Sequence, residues 1–407
     1  MASTLPDNPS LEWLRHEARR LQRAVRQGDP EAVTTVRQHH PHAEIALASE
    51  QFALHGAQLT MARRYGFSGW AALVRYLRVA AGLGTDPAAL DESELEPADH
   101  FCSLASLRYD GTDEPPRWQM AADLLVADPD LVDRNIWVAA SAADPVALAR
   151  QLTAQPSLAM SKGGPYRWTP LMYLTYSRVP LGRTRDETLS ATTLLLDAGA
   201  DPNAGYLWCG LSTPFTALTG VFGEGEQGAG RQPQHPFADA LATLLLERGA
   251  HPVDQQALYN RMFRPDNSHL ELLFTHGLAD ADPSPWERRL GEAMETREQM
   301  WKRQIDWAGE RGYSARLDLL SQHGIDTSGA DLTISTFPLD PNALDNEGAT
   351  PLHQAAWAGD LPLIRRLLEA GADPTICDMR YGTTPLDWAE HAYQSEAAEL
   401  LRAYRRD

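Results

Sequence analysis

The sequence predicts an all-α fold, a solenoid of about eight helix pairs preceded by a small helical capping domain. Three observations carry that reading. Residues 350–374, TPLHQAAWAGDLPLIRRLLEAGADP, alternate two short helical segments that bury an apolar face only against another copy of themselves. Thr384 and Pro385 restate Thr350 and Pro351 after 34 residues. Every segment that reads as regular structure has the 3.6-residue period of a helix.

Each element has a local cause. Thr350 caps a helix whose first residue, Pro351, has no N–H to lose. Leu352, Ala355 and Ala356 then form a narrow face that a second helix can approach closely. Gly359 stops the first helix, Leu363, Ile364, Leu367 and Leu368 recur at helical spacing on the second, and Gly371 ends it. TTPLDWAEHAYQ and EAAELLRAY repeat the arrangement. Earlier in the chain, WTPLMYLTYSR and STPFTALTGVFG read as first helices, with LLLDAGADPNAG and LLLERGAHPVD as second helices. Thr169-Pro170 and Thr213-Pro214 lie 44 residues apart, so insertions are expected near 177–188 and 223–236, as exposed connections, and a third near 323–345.

Thr-Pro-Leu-His, the double alanine, the inter-helix glycine and Gly-Ala-Asp-Pro, in that order, resemble the ankyrin repeat. The resemblance covers roughly three quarters of the chain, from about residue 98, with the strong motifs in about half of that, and the central repeats are degenerate. The opening segment, ending in Tyr65-Gly66-Phe67 and Trp70, resembles the helical leader of bacterial ankyrin-repeat proteins. The domains expected are a helical cap over 1–85, an acidic linker over 86–97 and the repeat array over 98–407.

Composition limits the function. A net charge of −19 on 407 residues argues against nonspecific DNA binding by the whole chain. Residues 10–80 are locally basic, with ten arginines against six acids. There LTMARRYGFSGWAALVRYL reads as a capping hairpin held by Phe67 and Trp70. The competing reading is a DNA-binding helix-turn-helix with Arg63, Arg64, Arg75 and Arg78 on phosphates. Three distant cysteines form no disulfide framework, no apolar run approaches a membrane span, and no signal-type core opens the chain. A cytoplasmic location is the expectation.

No Gly-rich phosphate loop, nucleophile elbow or His-Glu-x-x-His motif occurs, so no catalytic residue, cofactor or metal is expected. The histidines of HHPH, residues 39–42, read as a solvated helix end, since too few partners stand by to complete a zinc site. The resemblance implies that His353 ties neighbouring turns together. It also implies that Trp357 faces a concave groove, at a place the scaffold leaves free, with Tyr176 the corresponding residue of an earlier repeat. Around these, Tyr166, Trp168, Arg178, Trp208, Phe222, Tyr259, Arg261, Arg264 and Trp301 interleave rings with cations as binding surfaces do.

The function expected is therefore an interaction scaffold holding a protein or peptide in that groove. Alternatives are an aromatic or anionic small-molecule site, even a cofactor-independent enzyme, and a nucleic-acid-associated regulator acting through residues 10–80.

Overall fold

The computed structural model describes residue 5 and residues 10–48, 52–330 and 340–404. The centre of the insertion expected near 323–345, residues 331–339, lies outside them. The chain divides into two compact units. The first comprises Met1–Pro87, Tyr206–Pro214 and Pro283–Arg297, and the second comprises Ala88–Gly205, Phe215–Asp282 and Glu298–Asp407. The sequence placed 206–214 and 283–297 in the repeat array. Their apolar residues instead complete the core of the first unit.

In the first unit the helices are α1 (Leu11–Arg26), α2 (Pro30–His39), α3 (Ala43–Leu47), α4 (Leu54–Arg64) and α5 (Trp70–Leu83). Ser10 and Asp29 cap α1 and α2 through their side-chain oxygens. Leu14, Met61, Leu73, Tyr76 and Leu77 form one core with Leu207, Trp286 and Leu290. Gly66 turns α4 into α5 with a left-handed φ of 86°, which lets Phe67 fold inward to 5.5 Å from Tyr76. Trp70 packs against the same core. Arg63, Arg64, Arg75 and Arg78 are all exposed. A two-residue strand β1 (Gly84–Thr85) pairs in parallel with β2 (Gly205–Trp208), Gly84 opposite Leu207 and Thr85 opposite Trp208.

The second unit is a stack of helix pairs. In chain order they are α6 (Pro97–Ala105) with α7 (Pro115–Ala127), α8 (Ile136–Ser141) with α9 (Pro145–Ala154), and α10 (Pro170–Tyr176) with α11 (Arg185–Asp197). Next come α12 (Ala217–Phe222), the short α13 (Gly228–Arg231) and α14 (Ala238–Glu247), then α15 (Gln255–Arg261) with α16 (Ser268–Thr275). After α17 (Pro285–Leu290), which belongs to the first unit, follow α18 (Arg297–Arg311) with α19 (Ser314–Gln322), α20 (Pro351–Ala358) with α21 (Leu361–Glu369), and α22 (Pro385–His391) with α23 (Ser395–Tyr404). These are eight pairs among the described residues, an all-α repeat solenoid. First helices pack on first helices along the row, α8 on α10, α10 on α12, α12 on α15 and α20 on α22.

The Thr-Pro starts of the last two pairs work as caps. The Thr350 N–H donates to His353 Nδ1 at 3.0 Å, and the other ring nitrogen meets Thr383 O at 3.1 Å, joining one pair to the next. In the last pair Asp387 stands in for the histidine and accepts the Thr384 N–H at 2.7 Å. The apolar core of these two pairs is made of Leu352, Ile364, Leu367, Leu368 and Leu401 with the paired alanines.

Candidate functional site

Six of the eleven residues expected to line a groove are interior. Tyr166, Trp168, Tyr176 and Phe222 are each no more than 3% exposed, and Arg178 and Arg261 are buried with them. The expectation that the scaffold leaves these positions free is corrected by what they fill. Where the last repeats carry Ala355-Ala356, the third pair carries Leu174-Thr175, and the close helix approach that alanines permit is replaced by rings. Trp168 sits 4.7 Å from Tyr166 and 5.0 Å from Tyr176, ring centre to ring centre. Tyr176 reaches across to α12, donates to Thr216 O at 3.0 Å, and lies on Gly220, where a Cβ would come within 2.3 Å of its ring. Phe222 packs edge-on against the buried His269.

The buried arginines close backbone ends. Arg178 donates Nε–H to Pro233 O at 2.7 Å and Nη1–H to Thr175 O and Ser177 O at 3.0 and 2.8 Å, and Nη2–H to Gly220 O at 2.5 Å. It thus caps the negative end of α10. Burial lowers its pKa to about 10. Arg316 does the same after α15, donating to Met262 O, Arg264 O and Asp266 O, and burial likewise takes it to about 10. Arg261 is paired with Glu224 and Asp266. Burial pushes the Asp113 carboxyl up to about 6, although it accepts the Arg108 and Tyr109 amides.

The insertion near 223–236 also departs from the exposed connection expected of it. Glu224, Arg231, Gln232 and His235 are buried, and Glu224 holds a left-handed φ of 57°. Glu226 accepts the Tyr259 hydroxyl at 2.5 Å. A Cβ on Gly228 would stand 3.5 Å from Trp357 O, and Arg231 donates to His391 O at 3.2 Å and to Gly111 O at 3.4 Å. This segment therefore runs from the fifth pair to the last and bonds the loop of the first.

Five expected residues keep partial exposure: Trp208, Tyr259, Arg264, Trp301 and Trp357. Trp208 is in β2 and belongs to the first unit. Trp357 meets Trp388 edge-on at 6.0 Å and His391 in a tilted contact at 5.9 Å. Trp301 is stacked on Phe274 at 6.1 Å. Tyr259 belongs to a ladder that sequence reading had not assembled. The Arg303 guanidinium lies 4.9 Å over its ring, Phe263 meets it edge-on at 5.2 Å, Trp307 meets Phe263 at 5.1 Å, and Arg311 covers Trp307 at 4.7 Å. The four-residue spacings Arg303 to Trp307 to Arg311 were the available signal, because residues four apart share one face of α18, whereas Phe263 lies in the turn that follows α15.

Among the described residues, no group of three or more His, Cys, Asp or Glu side chains is placed to hold a metal ion, and no helix is long and apolar enough to cross a membrane. The family model for ankyrin repeats (many copies) matches residues 334–389. Over 65 residues the chain is 38% identical to the transient receptor potential channel pyrexia of Drosophila melanogaster, a stretch that makes up 16% of this chain and 7% of that protein. The chain thus spans only a small part of that relative. Both likenesses support an ankyrin-repeat protein, a class whose repeats generally mediate protein–protein interaction.

Proposed function

We propose that this chain is a cytoplasmic, protein-binding repeat module, and that its contact surface is built on the ladder Arg303, Tyr259, Phe263, Trp307 and Arg311, with Arg264, Trp301 and Trp357 as further contacts. One observation carries the reading. Most of the other rings expected to contact a partner are absorbed into the core, whereas this run of three half-exposed rings between two guanidiniums lies along α15, the turn after it and α18. Aromatic and arginine side chains held rigid by one another lose little freedom on binding and are the usual anchors of interfaces. Cations at both ends favour a partner segment with acidic residues flanking an apolar one.

The test is affinity capture with the intact protein beside a Tyr259→Ala/Trp307→Ala variant. Stability should change by about 1 kcal/mol or less per site, while a captured partner should bind about 2 kcal/mol more weakly, as truncated interface aromatics do. Identical capture by a folded variant would remove the ladder from the interface.

A further inference from the structure

Beneath the loop that joins α10 to α11 lies a cavity of about 180 Å³. Its polar lining is made of donors. His235 is buried, and its Nδ1 accepts the Phe237 amide at 3.1 Å, which leaves Nε2 as the protonated nitrogen. Among the described residues no acceptor meets that Nε2–H. Ser177 Oγ accepts the Val179 amide at 3.5 Å, and its own proton is likewise unmatched among the described residues. Arg178 lines the same space. Four of its five N–H groups end on backbone carbonyls, one on Nη2 remains, and no carboxylate of the described residues is in ion-pair contact with it.

A buried guanidinium is costly without an opposing charge, and a buried donor without an acceptor loses its full hydration. Carbonyl dipoles offset part of that cost for Arg178 and none of it for His235. The cavity lining holds the guanidiniums of Arg178 and Arg183 and no carboxylate; Asp144 beside it pairs Arg183 at 2.5 Å, so the local field favours an anion at Arg178. The remaining walls are apolar, with Leu174, Val179 and Phe237 among them. A space smaller than a drug-sized pocket, with donors converging and apolar walls beside them, suits a short molecule with one charged end.

We propose that this cavity is a binding site for a small organic monocarboxylate. The carboxylate accepts from His235 Nε2–H, Ser177 Oγ–H and the remaining Arg178 N–H, and the short hydrocarbon part lies against Leu174, Val179 and Phe237. The site is separate from the ladder surface and does not depend on it.

The experiment is calorimetric titration of the full chain with butyrate, butyramide and inorganic phosphate. Saturable binding of butyrate is expected, with butyramide and phosphate each weaker by about tenfold or more, since the amide lacks the charge and the phosphate lacks the apolar part. Ser177→Ala should weaken butyrate about fivefold to tenfold, and His235→Leu by a similar factor, in chains whose circular dichroism is unchanged. The butyrate–butyramide comparison needs no variant, so it stands even if His235→Leu fails to fold. The proposal is overturned by the absence of saturable butyrate binding, by equal binding of butyrate and butyramide, by phosphate binding as tightly as butyrate, or by full retention in a folded Ser177→Ala chain.

Discussion

The last two helix pairs and the third open on Thr-Pro, the fourth is capped by Thr216 just after Thr213-Pro214, and the two regions are held together by different chemistry. In the last two, Leu352, Ile364, Leu367 and Leu401 interlock across paired alanines, and the buried polar side chains are confined to caps and turns. In the third and fourth, tyrosines and a tryptophan pack around the first helices, and a buried arginine covers carbonyls at their ends. The difference teaches that a degenerate repeat is not a weakened one. Loss of the alanine pair is met by larger rings, and the buried carbonyls are met by a guanidinium with enough donors to reach four of them.

That comparison breaks first at Arg178. Replacing it with methionine keeps much of the volume but strands four carbonyls in the core, so we expect a loss of about 3–5 kcal/mol in a denaturant melt. A loss below about 1 kcal/mol would mean that water replaces the guanidinium and that the middle pairs rest on their rings alone. Leu367→Ala should cost about 2–5 kcal/mol, because a fully buried leucine among Leu352, Ile364 and Leu401 leaves a cavity. Gly230→Ala probes the segment that joins the two regions. A Cβ there would stand 2.1 Å from Ala392 O, so the segment must lift from the last pair, at about 1–3 kcal/mol, with hydrogen exchange rising at 391–394 more than at 352–368.

The smallest effect sets the last pairs against the loop of the first pair, where Asp113 bonds the Gln232 side chain of the fourth, by the sign of a pH dependence. Burial alone would raise the Asp378 carboxyl, but donors from Thr383, Tyr381 and Trp388 overcome it and hold the group well below the usual carboxylate range. Its folded pKa is below its unfolded one, so its stabilisation is present above about pH 4 and is lost as pH falls further. Asp113 has the opposite sign. Its folded value of about 6 exceeds the unfolded value, so stability is lost as pH rises from about 4 through 6. Melts of Asp378→Asn should lose the acid limb, and melts of Asp113→Asn the limb between those values. Exchange of the two limbs between the variants would contradict both assignments.

Much of the fold was legible because its causes are local. Threonine caps, proline at the first helical turn, the inter-helix glycine and apolar spacing each act within one helix pair, and they marked eight pairs in the sequence. The membership of 206–214 and 283–297 in the first unit was not legible, since Leu207, Trp286 and Leu290 meet Leu14 and Leu73 only through folding of distant segments. The groove residues failed for a related reason. Tyr176 and Trp357 occupy the same place in the motif, yet one is fully buried and the other is not. What decides is the residue across from the ring. Gly220 makes room for Tyr176, and no pattern within residues 169–176 announces a glycine 44 positions later. The ladder is a mixed case, since the spacing of Arg303, Trp307 and Arg311 within α18 was visible and the pairing of Phe263 with Trp307 was not.

Helix-pair arrays ordinarily behave as one-dimensional chains in which each unit feels only its neighbours, so they fray from an end and can unfold stepwise. The segment 223–236 changes that behaviour here. Arg231 bonds Gly111 and His391 across sequence separations of 120 and 160 residues, and Tyr393 donates to Glu114 at 3.1 Å across 279. Opening the last pair therefore also breaks contacts of the fourth and the first, and the free energy of fraying approaches that of a larger cooperative block. Closing such distant contacts is slow in folding, because chain entropy is lost before they form. The array gains a common melting point and gives up the ability to assemble from whichever repeat forms first.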